Sequence, residues 1–294
     1  MRASHLNKAL AYKRKYRLNG SSMILYKYMS FNSALIMLNK LSLGFTGLDD
    51  LNDPFEGTNF GFSESGDIPP RTAVRGFKNH FSRKYAISSL TRNPLNSLMW
   101  SHYGDSHRGV VIGIDAEECG LTSSDEFIIP AQLGEIIYVN TKNKNLNGVP
   151  SLEHLDDLRS TMTFSPEIKN YLKQAFLYKS LEWGYEEEVR VIKRLDGFRF
   201  SYHSTDDEVL SEDGMWNKVR NNYLGQPLFF YKIPQSGIKE IYLGNKVSRN
   251  ASRINEGKNK QAVNNDINFI KSFGCKVFGC EPDVSSWSLT PIEL

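Results

Sequence analysis

The chain has 294 residues, of which 40% are hydrophobic and 23% charged, with a net charge of +3. That composition excludes wholesale disorder, and a chain of this length buries enough surface to fold without a metal or a disulfide. Its longest apolar runs, such as Val110-Val-Ile-Gly-Ile114, fall far short of the roughly 20 residues a membrane helix needs, and its basic start lacks the apolar stretch of a secretory signal, so no membrane association and a cytoplasmic location are expected.

Residues 1–20 form a basic arm. Arg2, Lys8, Lys13, Arg14, Lys15 and Arg17 lie there without a single acid, as in a nucleic-acid contact or a solvated tail. Residues 21–294 read as one domain. Met23 to Tyr28 is apolar and aromatic, a strand signal, and Ser30 is placed to cap a helix carrying Leu35, Ile36 and Leu38. Leu41, Leu43 and Phe45 alternate as in a half-buried strand, and a turn-rich loop runs from Leu48 to Gly57. A basic helical segment is expected within 58–84. Tyr85 to Leu90 is the next strand.

Asn93-Pro94 then opens a helix that stops at Gly104, with Trp100 and Tyr103 on one side and Met99 and His102 on the other. Strands are expected at 109–115 and 134–140, then a helix from Ser165-Pro166 to about Leu181. Further strands follow at 186–193, 198–202, 228–233 and 238–243, with a helix over about 250–272 and two short closing strands. Strands outnumber helices and often succeed one another directly. That pattern points to an α+β fold, a mostly antiparallel sheet with flanking helices. Cys119, Cys275 and Cys280 are sparse and odd in number, which reads as free thiols; Cys275 and Cys280 lack the second Cys/His pair a zinc site requires.

Dinucleotide, phosphate-loop, zincin and hydrolase-elbow motifs are all missing. Chemistry is concentrated instead in Trp183-Gly-Tyr-Glu-Glu-Glu-Val-Arg190. Read as a strand, it sends Glu186, Glu188 and Arg190 to one face, and Tyr185, Glu187 and Val189 to the other. Two carboxylates so placed repel and titrate together, which suits either a site or a surface network neutralised by Arg190. Two further segments are candidates: Leu98-Met-Trp-Ser-His-Tyr103, equally explained by core packing, and Asn52-Asp-Pro-Phe-Glu56, equally explained as a turn.

Taken in order, Leu25 to Tyr28, Asn52 to Glu56, Ser88-Ser89, Leu98 to Tyr103, Trp183 to Arg190 and Ile241-Tyr-Leu-Gly244 resemble the motifs of a bacterial family of unknown function. More distantly, their layout is similar to that of the toxin-type ADP-ribosyltransferases. That second resemblance implies an ADP-ribosyltransferase-like fold and a toxin or phage-defence effector that consumes NAD to modify nucleic acid or protein. It implies Glu188 and Glu186 as catalytic residues. It also implies cofactor contacts from Lys27, Tyr28, Asn52, Asp53, Ser88, Ser89, Trp100, His102, Tyr103 and Arg190. Lys27 stands where that family usually has His or Arg. RNA or DNA bound through the basic arm, and an inhibitory antitoxin, are the implied partners. Two other readings stay open: a non-catalytic nucleotide- or nucleic-acid-binding module, and a metal-dependent nuclease built on Asp53, Glu56, Glu186 and Glu188.

Overall fold

The computed structural model describes residues 22–56, 84–141, 161–195, 208–220, 227–249 and 260–294, with a few isolated positions between them. The basic arm at 1–20, most of the helix expected within 58–84, the strand expected at 198–202 and the first part of the helix expected from 250 lie outside these residues.

The chain opens with β1 (Ile24–Met29), α1 (Phe31–Lys40) and β2 (Ser42–Gly47). The Ser30 hydroxyl accepts from the Ser33 amide, as an N-cap should, and the helix buries Leu35 and Leu38 while Ile36 stays exposed. A single-turn 3₁₀ helix (Leu48–Asp50) leads away from β2, and β3 spans Tyr85–Thr91. Next come α2 (Ser97–His102), β4 (Val110–Asp115) and β5 (Ile137–Val139). The cap of α2 is Asn96, not Asn93: its side-chain oxygen accepts from the amides of Leu98 and Met99. Asn93 instead closes the preceding turn by accepting from the Leu95 amide.

The helix expected to reach Leu181 stops earlier. α3 covers Lys169–Phe176, and β6 follows at Tyr178–Ser180 in parallel pairing with β5. A 3₁₀ helix (Leu181–Glu186) then precedes β7 (Glu188–Arg194). β8 (Glu208–Leu210), β9 (Trp216–Arg220), β10 (Pro227–Lys232), β11 (Ile238–Leu243), α4 (Asn245–Arg249), α5 (Lys260–Lys271), β12 (Lys276–Pro282) and β13 (Leu289–Glu293) complete the described elements.

Among the described residues, eleven strands share one sheet, mostly antiparallel, in the order β13-β12-β11-β4-β1-β3-β2-β10-β9-β8, with β7 joined to β3. The mixed α and β content and the dominant antiparallel pairing are those expected from the sequence. β7 pairs with β3 over seven residues, from Tyr85↔Arg194 to Thr91↔Glu188, and so occupies one whole edge of β3. A strand has only two edges, so β1 and β2 must share the other. β1 touches it at Tyr26↔Thr91, and β2 at Thr46↔Ile87 and Gly47↔Ala86. The sheet therefore splits where β1 and β2 part along β3. A gap opens there, and every candidate site segment borders it.

α2 packs its Trp100 beneath this region. The indole is fully buried, meets Tyr28 edge-on at 5.4 Å and His107 face-on at 6.1 Å, and donates its N–H to the Pro94 carbonyl. Trp100→Ala should therefore cost about 3–5 kcal/mol of folding stability, measured by urea denaturation, as loss of a well-packed buried aromatic does. A variant as stable as the parent would show that Trp100 is not the packing anchor of α2.

Candidate functional site

The gap between β1 and β2 is a pocket of about 210 Å³. Its walls come from Tyr26, Lys27 and Tyr28 of β1, Thr46 of β2, Ser89 to Thr91 of β3, Met99 of α2 and Tyr103 at the C-cap of that helix. Its floor is a cluster of buried charge made by Glu56, Lys179, Glu186, Glu188 and Arg190.

Arg190 is the centre of that cluster, with 1% of its surface exposed. Its Nε donates to Glu188 Oε1 at 2.8 Å and one terminal nitrogen to Glu188 Oε2 at 3.1 Å. Both terminal nitrogens grip Glu56 in a bidentate pair, and Nη1 also reaches the Phe176 carbonyl at 2.7 Å. All five guanidinium N–H groups thus have acceptors, the condition for keeping such a cation out of water. Arg190, an implied cofactor contact, borders the pocket with all of these donors engaged inside the cluster. Gly134 permits the backbone of the neighbouring segment to lie against β7 here, since a Cβ would fall 1.8 Å from the Arg190 carbonyl oxygen.

Lys179 is the second cation, buried on β6. Its Nζ lies 2.6 Å from Glu186 Oε2, 3.2 Å from Glu188 Oε2 and 3.9 Å from Glu56 Oε1, with the Trp183 ring 4.8 Å away. Burial works against its charge, but Glu188 and Glu186 raise its pKa above the usual lysine value. Sequence reasoning passed over Lys179 and left Glu56 out of the site proper. One lysine inside the apolar run from Ala175 was a usable signal, but the helix drawn through it hid the strand that turns it inward.

Glu186 and Glu188 do not share one strand. Glu186 ends the 3₁₀ helix, Glu187 takes a left-handed conformation (φ 46°), and β7 begins only at Glu188. The grouping drawn from strand alternation nonetheless holds, because the turn at Glu187 points that residue to solvent and returns both neighbours to Lys179. The 3₁₀ segment is pinned by the Thr91 hydroxyl donating to the Glu186 carbonyl and the Asn96 amide donating to the Tyr185 carbonyl.

The two carboxylates titrate in opposite directions. Burial raises the pKa of Glu186, and Lys179 and the Tyr103 hydroxyl, which donates to Oε1 at 2.6 Å, offset this only in part. Burial also opposes charge on Glu188, but Arg190 and Lys179 outweigh it and hold that pKa down to about 2. The partners of each carboxylate thus drive the two proton affinities apart, favouring the anion at Glu188 and opposing it at Glu186.

Lys27 differs from the other two cations. Among the described residues, its one recorded hydrogen bond goes to the Ser89 carbonyl at 2.8 Å, and burial pushes its pKa down to about 8 despite the attraction of Glu188. The Ser89 hydroxyl lies beside Glu188 but outside hydrogen-bond geometry, leaving it buried without a partner.

The other candidates divide. Tyr28, Asn52 and Tyr103 line the pocket, and the Asn52 amide donates to the Tyr103 hydroxyl at 2.6 Å. Asp53 is buried and accepts from the Phe55 amide, so it shapes its own turn instead of facing the pocket. Ser88 is fully buried away from the pocket, Trp100 lies in the core, and His102 is exposed with its ring against Tyr185. Asp53, Ser88, Trp100 and His102 are therefore not among the residues that line the pocket. Among the described residues no group of His, Cys, Asp or Glu is arranged to hold a metal. Lys179 and Arg190 fill the space between the carboxylates. Cys119 and Cys280 are buried free thiols whose pKa burial pushes up to about 12, and Cys275 is also free.

Arg190→Met should cost about 3–5 kcal/mol at pH 7, because it strands Glu56 and Glu188 in the interior without their partner. The depressed pKa of Glu188 contributes stability above the unfolded carboxylate value and loses it as pH falls toward about 2. The deficit of the variant should thus shrink as denaturation is repeated from pH 5 down to pH 3. A deficit independent of pH would assign the cost to packing instead of charge.

Residues 99–191 match a family described as a protein of unknown function, DUF2971. No curated protein and no solved structure matches the chain. No helix among the described residues is long and apolar enough to cross a membrane.

Proposed function

We propose that the chain is an NAD-consuming, ADP-ribosyltransferase-like enzyme, a toxin or phage-defence effector. The observation that carries this reading is the convergence of Lys27, Ser89 and Glu188, from three neighbouring strands, on one pocket where the sheet splits. The donor set suits half of a dinucleotide. Lys27 has N–H groups to spare for a phosphate, the Ser89 hydroxyl lacks a partner, and Tyr28 and Tyr103 offer ring surface. At about 210 Å³ the pocket takes one ring and its sugar, and the rest of the molecule lies outside it.

The two glutamates divide the work. Cleavage of a nicotinamide–ribose bond builds positive charge on the sugar, as glycoside cleavage does. Glu188, held anionic by Arg190 and Lys179, stabilises that charge from a position fixed in advance. Glu186, with its raised pKa, receives the proton of the attacking group. The acceptor is nucleic acid or protein; the basic arm at 1–20 suits the former, and an antitoxin that covers the pocket would restrain the enzyme.

A non-catalytic binding module is the second reading. It is favoured by one observation: both oxygens of Glu188 are already bonded to Arg190 and Lys179.

Nicotinamide release from NAD, with and without RNA, tests the proposal. Glu188→Gln should lower turnover about 10²–10³-fold, as loss of a fixed electrostatic contact does. Because Glu188 also anchors Arg190, Glu56→Gln serves as the control: it disturbs the same guanidinium and should cost stability with a smaller loss of turnover. Glu187→Gln should leave turnover unchanged, since that side chain is exposed. NAD that raises the melting temperature without releasing nicotinamide would establish the binding module instead.

A further inference from the structure

We infer that Lys27 is a nucleophilic amine, and that its pocket captures a small aldehyde-bearing ligand of the sugar class as an imine on Lys27 Nζ. This goes beyond the transferase reading and does not depend on it, since a binding module with the same pocket would carry the same amine.

The argument begins with what each cation near the pocket is doing. Arg190 and Lys179 are consumed by Glu56, Glu186 and Glu188. Lys27 forms a wall of the same cavity, and its one recorded bond there is to a backbone carbonyl, an acceptor that carries no full charge. Glu188 is the acid that acts on it electrostatically, and Glu188 is already committed to Arg190 and Lys179. An ammonium desolvated without a partner loses its proton more readily. Burial accordingly brings Lys27 down to about 8, so an appreciable fraction is the free amine near neutral pH. Lys239, half-buried and paired with Glu118, has the opposite bias.

The chemistry balances within the pocket. The Lys27 lone pair attacks the carbonyl carbon, a C–N bond forms, and the carbonyl oxygen takes up a proton to give a carbinolamine. Glu186, on the same pocket with a raised pKa, is suited to supply that proton. One nitrogen proton returns to Glu186, and the other leaves with the hydroxyl as water, which gives the imine. Nothing is oxidised or reduced, and no metal is required. An open-chain sugar phosphate presents both the aldehyde and hydroxyls that the unpartnered Ser89 side chain can meet.

The test treats the full chain with ribose 5-phosphate, with ADP-ribose or with glyoxylate in the presence of cyanoborohydride, which fixes an imine as a stable secondary amine. Peptide mapping by mass spectrometry reads the modified lysine. Lys27 should be modified about tenfold or more faster than exposed lysines such as Lys40 at pH 7.5, with saturation in the sugar phosphate. Lys27→Arg, which keeps the charge but cannot form an imine, should lose that fast adduct while the slow surface labelling persists. Labelling spread over surface lysines with Lys27 no faster would overturn the inference. The wild-type map alone decides this, whether or not the variant folds. Protection by NAD keeps the two proposals separable: fast Lys27 labelling that NAD fails to block would sustain the amine and count against NAD as the ligand.

Discussion

Arg190 is a cation with 1% of its surface in contact with solvent, and the rest of this region is arranged so that it can be. Taking a guanidinium out of water costs several kcal/mol unless every donor is met and the charge is balanced. Glu56 and Glu188 supply both conditions, and the Phe176 carbonyl takes the remaining N–H. Those three partners come from the loop after β2, from β7 itself and from the end of α3. Burying one side chain therefore fixes the relative positions of three segments far apart in sequence. The pocket is the space left above them.

The same constraint explains why the carboxylates at the site differ. A low-dielectric interior opposes all negative charge, and only nearby cations reverse that. Glu188 has two cations against it and stays charged; Glu186 has Lys179 and a tyrosine hydroxyl, and its pKa rises. Identical side chains two positions apart thereby acquire different proton affinities from their partners alone. Lys27, which gains no such partner, moves down for the same physical reason that Glu186 moves up. The pocket thus holds a fixed anion, a carboxyl of raised proton affinity and a weakly held ammonium side by side.

The divergence of β1 and β2 opens the pocket beside these groups. In a continuous sheet, the residues of β3 facing Lys27 would be covered along both edges. Here β7 fills one edge and the other is shared, which leaves Ser89 and Thr91 bordering open space. α2 closes the far side: its Trp100 is locked between Tyr28 and His107, and its Tyr103 reaches over to Glu186 and Asn52. Core packing and site geometry are thus joined through a single short helix.

The sequence by itself determined the antiparallel α+β character, most strand positions and the concentration of charge in the segment holding Glu186, Glu188 and Arg190, because these rest on local pattern: alternation, capping and the rarity of acids in an apolar context. Strand alternation grouped Glu186 with Glu188 and Arg190 correctly even though a left-handed turn at Glu187, not a pleat, produces the grouping. What sequence could not carry was anything set by partners distant along the chain. The bond from Arg190 to Glu56, 134 residues away, has no local signature. Lys179 went unseen because a helix pattern ran through it, and only pairing with β5 turns those residues into a strand. Asp53, Ser88 and Trp100 belong to site-bearing segments but turn away from the pocket, since which side of a segment faces a cavity depends on the packing of the other elements. The tertiary structure alone decided which charges would neutralise one another in the interior, and so which were left bordering the pocket.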